Sequence, residues 1–133
     1  MRIYLAGPMR GYDLFNFPAF FAASITLRKL GHDVSNPAEY DMSIGLNPAL
    51  ALDSPNQIPF DMHDTLSKDF LEVLAADAIV FLPGWEKSTG AQAEYVVAYF
   101  SGKEIYFWCD ESLVSVPRIK PLIEIAEHEN SNA

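Results

Sequence analysis

The sequence predicts a doubly wound α/β fold, a mainly parallel sheet of about five strands flanked by helices, in the Rossmann or flavodoxin manner. Three observations carry this. The chain opens strand, Gly-containing loop, helix, strand, which is how a right-handed parallel crossover begins. Ala78 to Leu82 is an uninterrupted apolar run closed by Pro83-Gly84, the pattern of a strand buried on both faces. A helix and then a further strand rich in aromatic and β-branched residues follow it.

Taken in order, Arg2–Ala6 is the first strand, and Gly7-Pro8-Met9-Arg10-Gly11 breaks it. Residues 17–30 place Phe20, Ala23, Leu27 and Leu30 on one helical face, with Gly31 as the stop. His32 to Pro37 forms a short second strand near a sheet edge. Four of the nine prolines fall in residues 37–60, which therefore read as a long loop with one turn around Ala49–Leu52. Met62 to Ala76 is a helix with Leu66, Phe70, Val73 and Leu74 as its buried stripe. Lys68, Asp69 and Glu72 fall mostly off that stripe, so Asp69 is either solvated or aimed at the end of the sheet. After the Ala78–Leu82 strand, Ser88, Thr89 and Gly90 start a helix carrying Ala91, Glu94, Val97 and Ala98. Glu104 to Trp108 is the strand that would close the sheet, and Val116 to Glu127 a last short helix before a polar tail.

Composition limits the function classes. The 133 residues suit one domain spanning 1–133. Nine Lys+Arg against eighteen Asp+Glu leave a net charge of −9, which opposes unspecific binding to nucleic acid or to an anionic membrane. One cysteine, Cys109, permits neither an intramolecular disulfide nor a Cys-based zinc site and suits a cytoplasmic protein. His32, His63 and His128 lack metal-ligand spacing, and Gly7 with Gly11 lacks the dinucleotide fingerprint. No metal and no other cofactor is expected. The apolar stretch after Arg2 is too short for a signal peptide or a membrane span.

Two loops should lie side by side at the carboxyl edge of the sheet: Gly7–Gly11 and Pro83–Gly90. The unpaired N–H groups at the start of the Ser88–Gly90 helix make an anion seat, and Arg10 can grip a phosphate from the other loop. Arg10 is otherwise a solvated loop charge. Tyr4 sits inside the first strand, where its hydroxyl needs a partner if buried; Glu94 can be that partner. The plainer reading of Glu94 is a solvated carboxylate near a helix N-terminus. His63 is structural or at the surface, Asp77 simply ends a helix, and Trp85 either stacks on a ligand or packs.

At these residues the chain resembles the nucleoside 2-deoxyribosyltransferase-like superfamily, over residues 2–108. Ile3-Tyr4-Leu5-Ala6-Gly7-Pro8-Met9-Arg10-Gly11 is similar to its opening strand and loop, with an Arg-Gly ending like that of its nucleotide-cleaving branch. Lys68 to Val80 is similar to its aspartate-bearing helix and following strand, and Ser88-Thr89-Gly90-Ala91-Gln92-Ala93-Glu94 to its Ser-x-Gly-x-x-x-Glu signature. The resemblance implies cleavage or transfer at the N-glycosidic bond of a (deoxy)nucleoside or its 5′-monophosphate. It casts Glu94 as the nucleophile at C1′, Tyr4 as the residue orienting it, and Asp69 as the group that protonates or orients the leaving base. Gly7, Met9, Arg10, Gly11, Ser88 and Gly90 would hold the substrate. It also implies a homodimer or higher homo-oligomer, with apolar surface around Phe20–Phe21 and Tyr95–Phe100, and Ser112 or Ser115 either lent to a neighbour's phosphate or left as loop hydroxyls. Two alternatives stand beside it: a non-catalytic nucleotide-sensing module, and a phosphoribohydrolase of the lysine-decarboxylase-like type, echoed loosely in Pro83-Gly84 through Glu94.

Overall fold

Alternation along the first strand decides which side chains face which layer. In the computed structural model, which describes residues 1–47 and 62–115, β1 (Arg2–Ala6) directs Ile3 and Leu5 to one face of the sheet and Tyr4 and Ala6 to the other. On the first face α1 (Phe17–Lys29) supplies Phe20, Ala23 and Leu27, all inaccessible to solvent. On the second, α3 (Met62–Ala75) and α4 (Thr89–Phe100) supply Val73, Tyr95 and Ala98. Burying a side chain of the size of Phe20 or Leu27 contributes about 1.5–3 kcal/mol, so these stripes hold both helical layers to the sheet.

Between these helices run β2 (Asp33–Ser35), β3 (Ala78–Phe81), β4 (Glu104–Cys109) and β5 (Ser112–Ser115). The sheet order is β2-β1-β3-β4-β5, parallel throughout except for β5, which is antiparallel to β4. The chain steps outward from β1 to β2, then returns to place β3 on the other side of β1. Tyr4 is opposite Ile79 and Ala6 opposite Phe81, which leaves a crevice beyond the carboxyl ends of β1 and β3.

The expected doubly wound architecture is present, with several local differences. Residues 37–43 are not loop: Pro37 occupies the first helical position of α2 (Pro37–Ser43), and Asn36 caps it by accepting from the Ala38 N–H at 3.0 Å. A proline at that position starts a helix rather than breaking one. Leu30 is 67% exposed, beyond the end of α1. In α3 the expected apolar stripe is rotated, since Leu66 and Leu74 are exposed while Val73 is buried and Phe70 half-buried. Asp69, four residues before Val73, shares the inward face. β4 does not close the sheet: Asp110 and Glu111, at φ 49° and 61°, turn the chain into β5, a two-residue hairpin turn without the usual glycine. The expected turn at Ala49–Leu52 and helix at Val116–Glu127 lie outside the described residues.

The two crevice loops are pressed together. A Cβ on Gly7 would stand 2.9 Å from Leu82 Cβ, so only glycine lets the β1 loop cross the end of β3. Gly84, at φ 89°, lies directly beneath the Tyr12 hydroxyl, leaving no space for a side chain. Leu14, Phe15 and Asn16 are consecutive left-handed residues at φ 51–58°, a conformation unfavourable for Leu14 and Phe15 and better tolerated by Asn16. Burial of Phe15 and an Asn16 Nδ2 bond to the Pro8 carbonyl at 3.0 Å hold it.

Candidate active site

A cavity of about 620 Å³ opens at the crevice between the ends of β1 and β3. Gly7, Met9, Arg10 and Tyr12 form its wall on the β1 side; Ser88, Thr89, Gly90 and Glu94 form the wall at the start of α4. From α2 and α3 come Asp41, Thr65, Asp69 and Phe70.

Glu94 lines the cavity from α4. The helix period sets Ala91, Glu94, Tyr95 and Ala98 on the buried side of α4, so the carboxyl is carried inward with the packing residues and is 8% exposed. The Tyr4 hydroxyl, from the facing side of β1, bonds to it. Its Oε2 is buried without a hydrogen-bond partner. Burial raises the Glu94 pKa to about 8; the Tyr4 bond opposes this and the neighbouring Asp69 charge adds to it. The Tyr4 phenol is itself held well above its ordinary value, by burial first and by the Glu94 and Asp69 charges next.

Asp69 is half-buried on the inward stripe of α3, with its pKa raised to about 6 by burial and by Asp41, against the pull of Lys68. Asp41, on α2, is 6% exposed and is also raised to about 6, by burial, with Lys68 opposing. Lys68 is steadied by the Tyr40 ring, its Nζ lying 3.8 Å from the centroid. All three carboxyls act on Tyr4 electrostatically, Glu94 most and Asp41 least.

Ser88, Gly90 and Arg10 line this same cavity. Ser88 caps α4, its Oγ accepting from the Ala91 N–H at 3.3 Å. The Ser88 side chain and the exposed first turn at Thr89–Gly90 line the same cavity as Arg10, which brings N–H and O–H groups and a guanidinium to one space.

The fold thus gathers Tyr4, Gly7, Met9, Arg10, Asp69, Ser88, Gly90 and Glu94 around one cavity. Gly11 stands apart, an exposed turn residue at φ 81° off the described cavity wall. His63 is exposed beside Asp64 at 3.7 Å. Asp77 accepts from the Arg2 N–H at 2.8 Å, at the opposite end of the sheet. Trp85 stacks on Tyr95, with centroids 5.0 Å apart, and is packing rather than cavity wall. Ser112 and Ser115 belong to the edge strand β5, and the Ser112 hydroxyl donates to the Cys109 carbonyl. Sequence reasoning missed Asp41 because it read residues 37–60 as loop; the Asn36-Pro37 start signal was the clue available. Among the described residues no group of three His, Cys, Asp or Glu is disposed to hold a metal ion.

The sequence and the fold have counterparts. The sequence pattern of Domain of unknown function (DUF4406) matches residues 1–107, which is most of the chain. The protein belongs to the DUF4406 family. No functionally curated protein matches the sequence. Among solved structures, this DUF4406 chain is similar to a 2-deoxyribosyltransferase from the psychrotolerant bacterium Bacillus psychrosaccharolyticus. The identity is 21% and the TM-score 0.58, over 80% of this chain and 71% of that one. At that identity the likeness establishes a shared fold, and the DUF4406 cavity sits where such a fold binds ligands. No helix among the described residues is long and apolar enough to cross a membrane.

Proposed function

We propose that this DUF4406 protein cleaves or transfers the N-glycosidic bond of a (deoxy)nucleoside or its 5′-monophosphate, with Glu94 as nucleophile. The observation that carries the reading is the Glu94 carboxyl: deeply buried, bonded on one side to Tyr4, and unpartnered at Oε2 beside a cavity that Arg10 and Ser88 also line. A fold does not leave a carboxylate oxygen buried and unpaired without cost. An anomeric carbon gaining positive charge is a partner that repays it.

In the first step the Glu94 carboxylate attacks C1′ as the C1′–N bond breaks, and the Asp69 proton passes to the leaving nitrogen. In the second, water attacks C1′, frees Glu94 and returns its proton to Asp69; a second base in place of water gives transfer. Arg10, Ser88 and the first turn of α4 hold the 5′-phosphate. The resting cavity keeps the shared proton on Glu94, whose pKa is above that of Asp69, whereas the reaction needs it on Asp69. Positive charge developing at C1′ favours ionised Glu94, so proton redistribution accompanies bond cleavage.

Self-association accompanies this reading. Phe20 and Tyr95 are consumed by the core, but Leu71 and Leu74 on α3 and Val96 and Phe100 on α4 remain exposed, offering apolar surface to a second copy.

The test is a panel of ribo- and deoxyribonucleosides and their 5′-monophosphates, followed by chromatography for liberated base, with Glu94→Ala as control. Release that disappears in the variant, while a monophosphate still binds, supports the proposal. Binding without release in the wild-type protein indicates a sensing module instead.

A further inference from the structure

Arg10 stands on a turn that is held from both ends. The Tyr12 N–H donates to the Met9 carbonyl at 3.2 Å, with Gly11 at φ 81°, a β-turn whose third position calls for glycine and whose second is Arg10. Gly11, off the cavity wall, thus shapes the corner that carries Arg10. A second turn follows at once, the Phe15 N–H donating to the Tyr12 carbonyl at 3.0 Å. Leu14 and Phe15 are left-handed there, a state that persists in such residues only where the surroundings over-determine it. Buried Phe15 packs on Phe17 with ring centroids 6.1 Å apart, and Asn16 Nδ2 closes back on the Pro8 carbonyl at 3.0 Å. Residues 8–16 are therefore a loop pinned at its base.

Beyond the Arg10 corner, Tyr12 meets Gly84. Its hydroxyl lies where a Gly84 side chain would stand, and the turn presenting Gly84 is firm. Trp85 packs against Phe81, Tyr95 and Phe107 with ring centroids 4.9, 5.0 and 5.5 Å apart, and Gln92 Nε2 donates to the Glu86 carbonyl. Ser88 and the first turn of α4 continue directly from this turn. Tyr12 thus spans from the loop that carries Arg10 to the loop that carries Ser88.

Resting on the reading that Arg10 and Ser88 hold a 5′-phosphate, we infer that Tyr12 is a positioning residue. Braced against Gly84, it fixes the Met9–Tyr12 turn at a set separation from the start of α4, so that Arg10 and Ser88 meet one phosphate together. Tyr12 acts through Arg10 and does not itself grip the phosphate. An arginine on a loose loop loses freedom when it binds; one on a braced turn has lost part of it already.

The experiment is a double-variant cycle read on equilibrium binding, with base release followed in parallel. The four common deoxynucleoside 5′-monophosphates and their nucleosides are titrated against wild type, Arg10→Met, Tyr12→Ala and the double variant. Arg10→Met should lower the ratio of monophosphate to nucleoside affinity by about ten- to a hundredfold, the loss of a charged hydrogen bond. Tyr12→Ala should lower that ratio by about tenfold on its own, and by less than about twofold once Arg10 is gone. The same loss with and without Arg10 overturns the inference, as does an unchanged ratio in Tyr12→Ala.

A second pair probes the contact itself. Gly84→Ala sets a methyl group against the Tyr12 hydroxyl and should lower the ratio as Tyr12→Ala does. Adding Tyr12→Phe removes the hydroxyl, leaves the methyl 3.5 Å from the ring carbon Cζ, and should recover about threefold or more. Backbone strain at position 84 is common to both proteins, so the difference reads the contact, and no recovery overturns the inference. Wild type that binds nucleosides as tightly as their monophosphates also overturns it, while base release in that protein leaves glycosidic cleavage standing. Phosphate-selective binding with a non-additive cycle and no base release upholds Tyr12 and refutes the chemistry.

Discussion

The Tyr4 hydroxyl and the Glu94 carboxyl meet across the end of the sheet, joining the second face of β1 to the second turn of α4. Both residues are almost fully buried, so this bond is made in surroundings where it counts for more than in water. It is the contact that favours ionised Glu94, against the burial that disfavours it.

Replacing Tyr4 by Phe removes that donor and leaves a second carboxyl oxygen unpaired. Hydrogen bonds to charged groups are worth about 1.5–3 kcal/mol, so kcat/KM should fall by roughly ten- to a hundredfold. The apparent pKa of Glu94 should rise in step, read from the pH profile of the residual activity.

The wild-type pH–rate profile should be a bell with its maximum between the pKa values of about 6 and about 8 set by Asp69 and Glu94. Below about 6 both carboxyls are protonated and the nucleophile is lost; above about 8 both are ionised and the acid is lost. These limbs belong to the pair rather than to either residue. Asp69→Asn should abolish the alkaline limb. Its lower rate should then climb with pH and level off, at a lower apparent pKa because the Asp69 charge no longer raises Glu94.

Stability should run the other way. Glu94 has a folded pKa of about 8 against an ordinary value of 4.5, so the native state binds more protons between those values. Stability is therefore fully present below about 4.5 and falls as pH rises toward about 8. Glu94→Gln has nothing to ionise. Its Tm should exceed that of wild type at pH 9 by several degrees, on the order of a few kcal/mol, and the gap should narrow toward pH 5. Thermal melts of both proteins across this range provide the check.

Asn36→Ala should cost about 1–2 kcal/mol through loss of the α2 cap. Urea melts of wild type and variant measure this effect. Ser88→Ala should cost about 1 kcal/mol through the α4 cap and weaken 5′-monophosphates more than the matching nucleosides.

The order of elements, the buried run at Ala78–Leu82 and the capped start of α4 were legible from residue pattern, because period and turn chemistry are local properties. That locality also brought Tyr4, Arg10, Ser88 and Glu94 to one edge of the sheet, since a parallel sheet sends every post-strand loop to the same side. Tertiary structure alone decided the burial of Glu94 and the inward rotation of Asp69, because both depend on which face of a helix the neighbouring layer covers. It also recruited Asp41. A short proline-initiated helix has too few turns to show a period, and its direction is fixed only by the cap at Asn36 and the grip of Arg28 on Glu39. Sequence placed the acids along the chain; packing chose which of them would face a ligand.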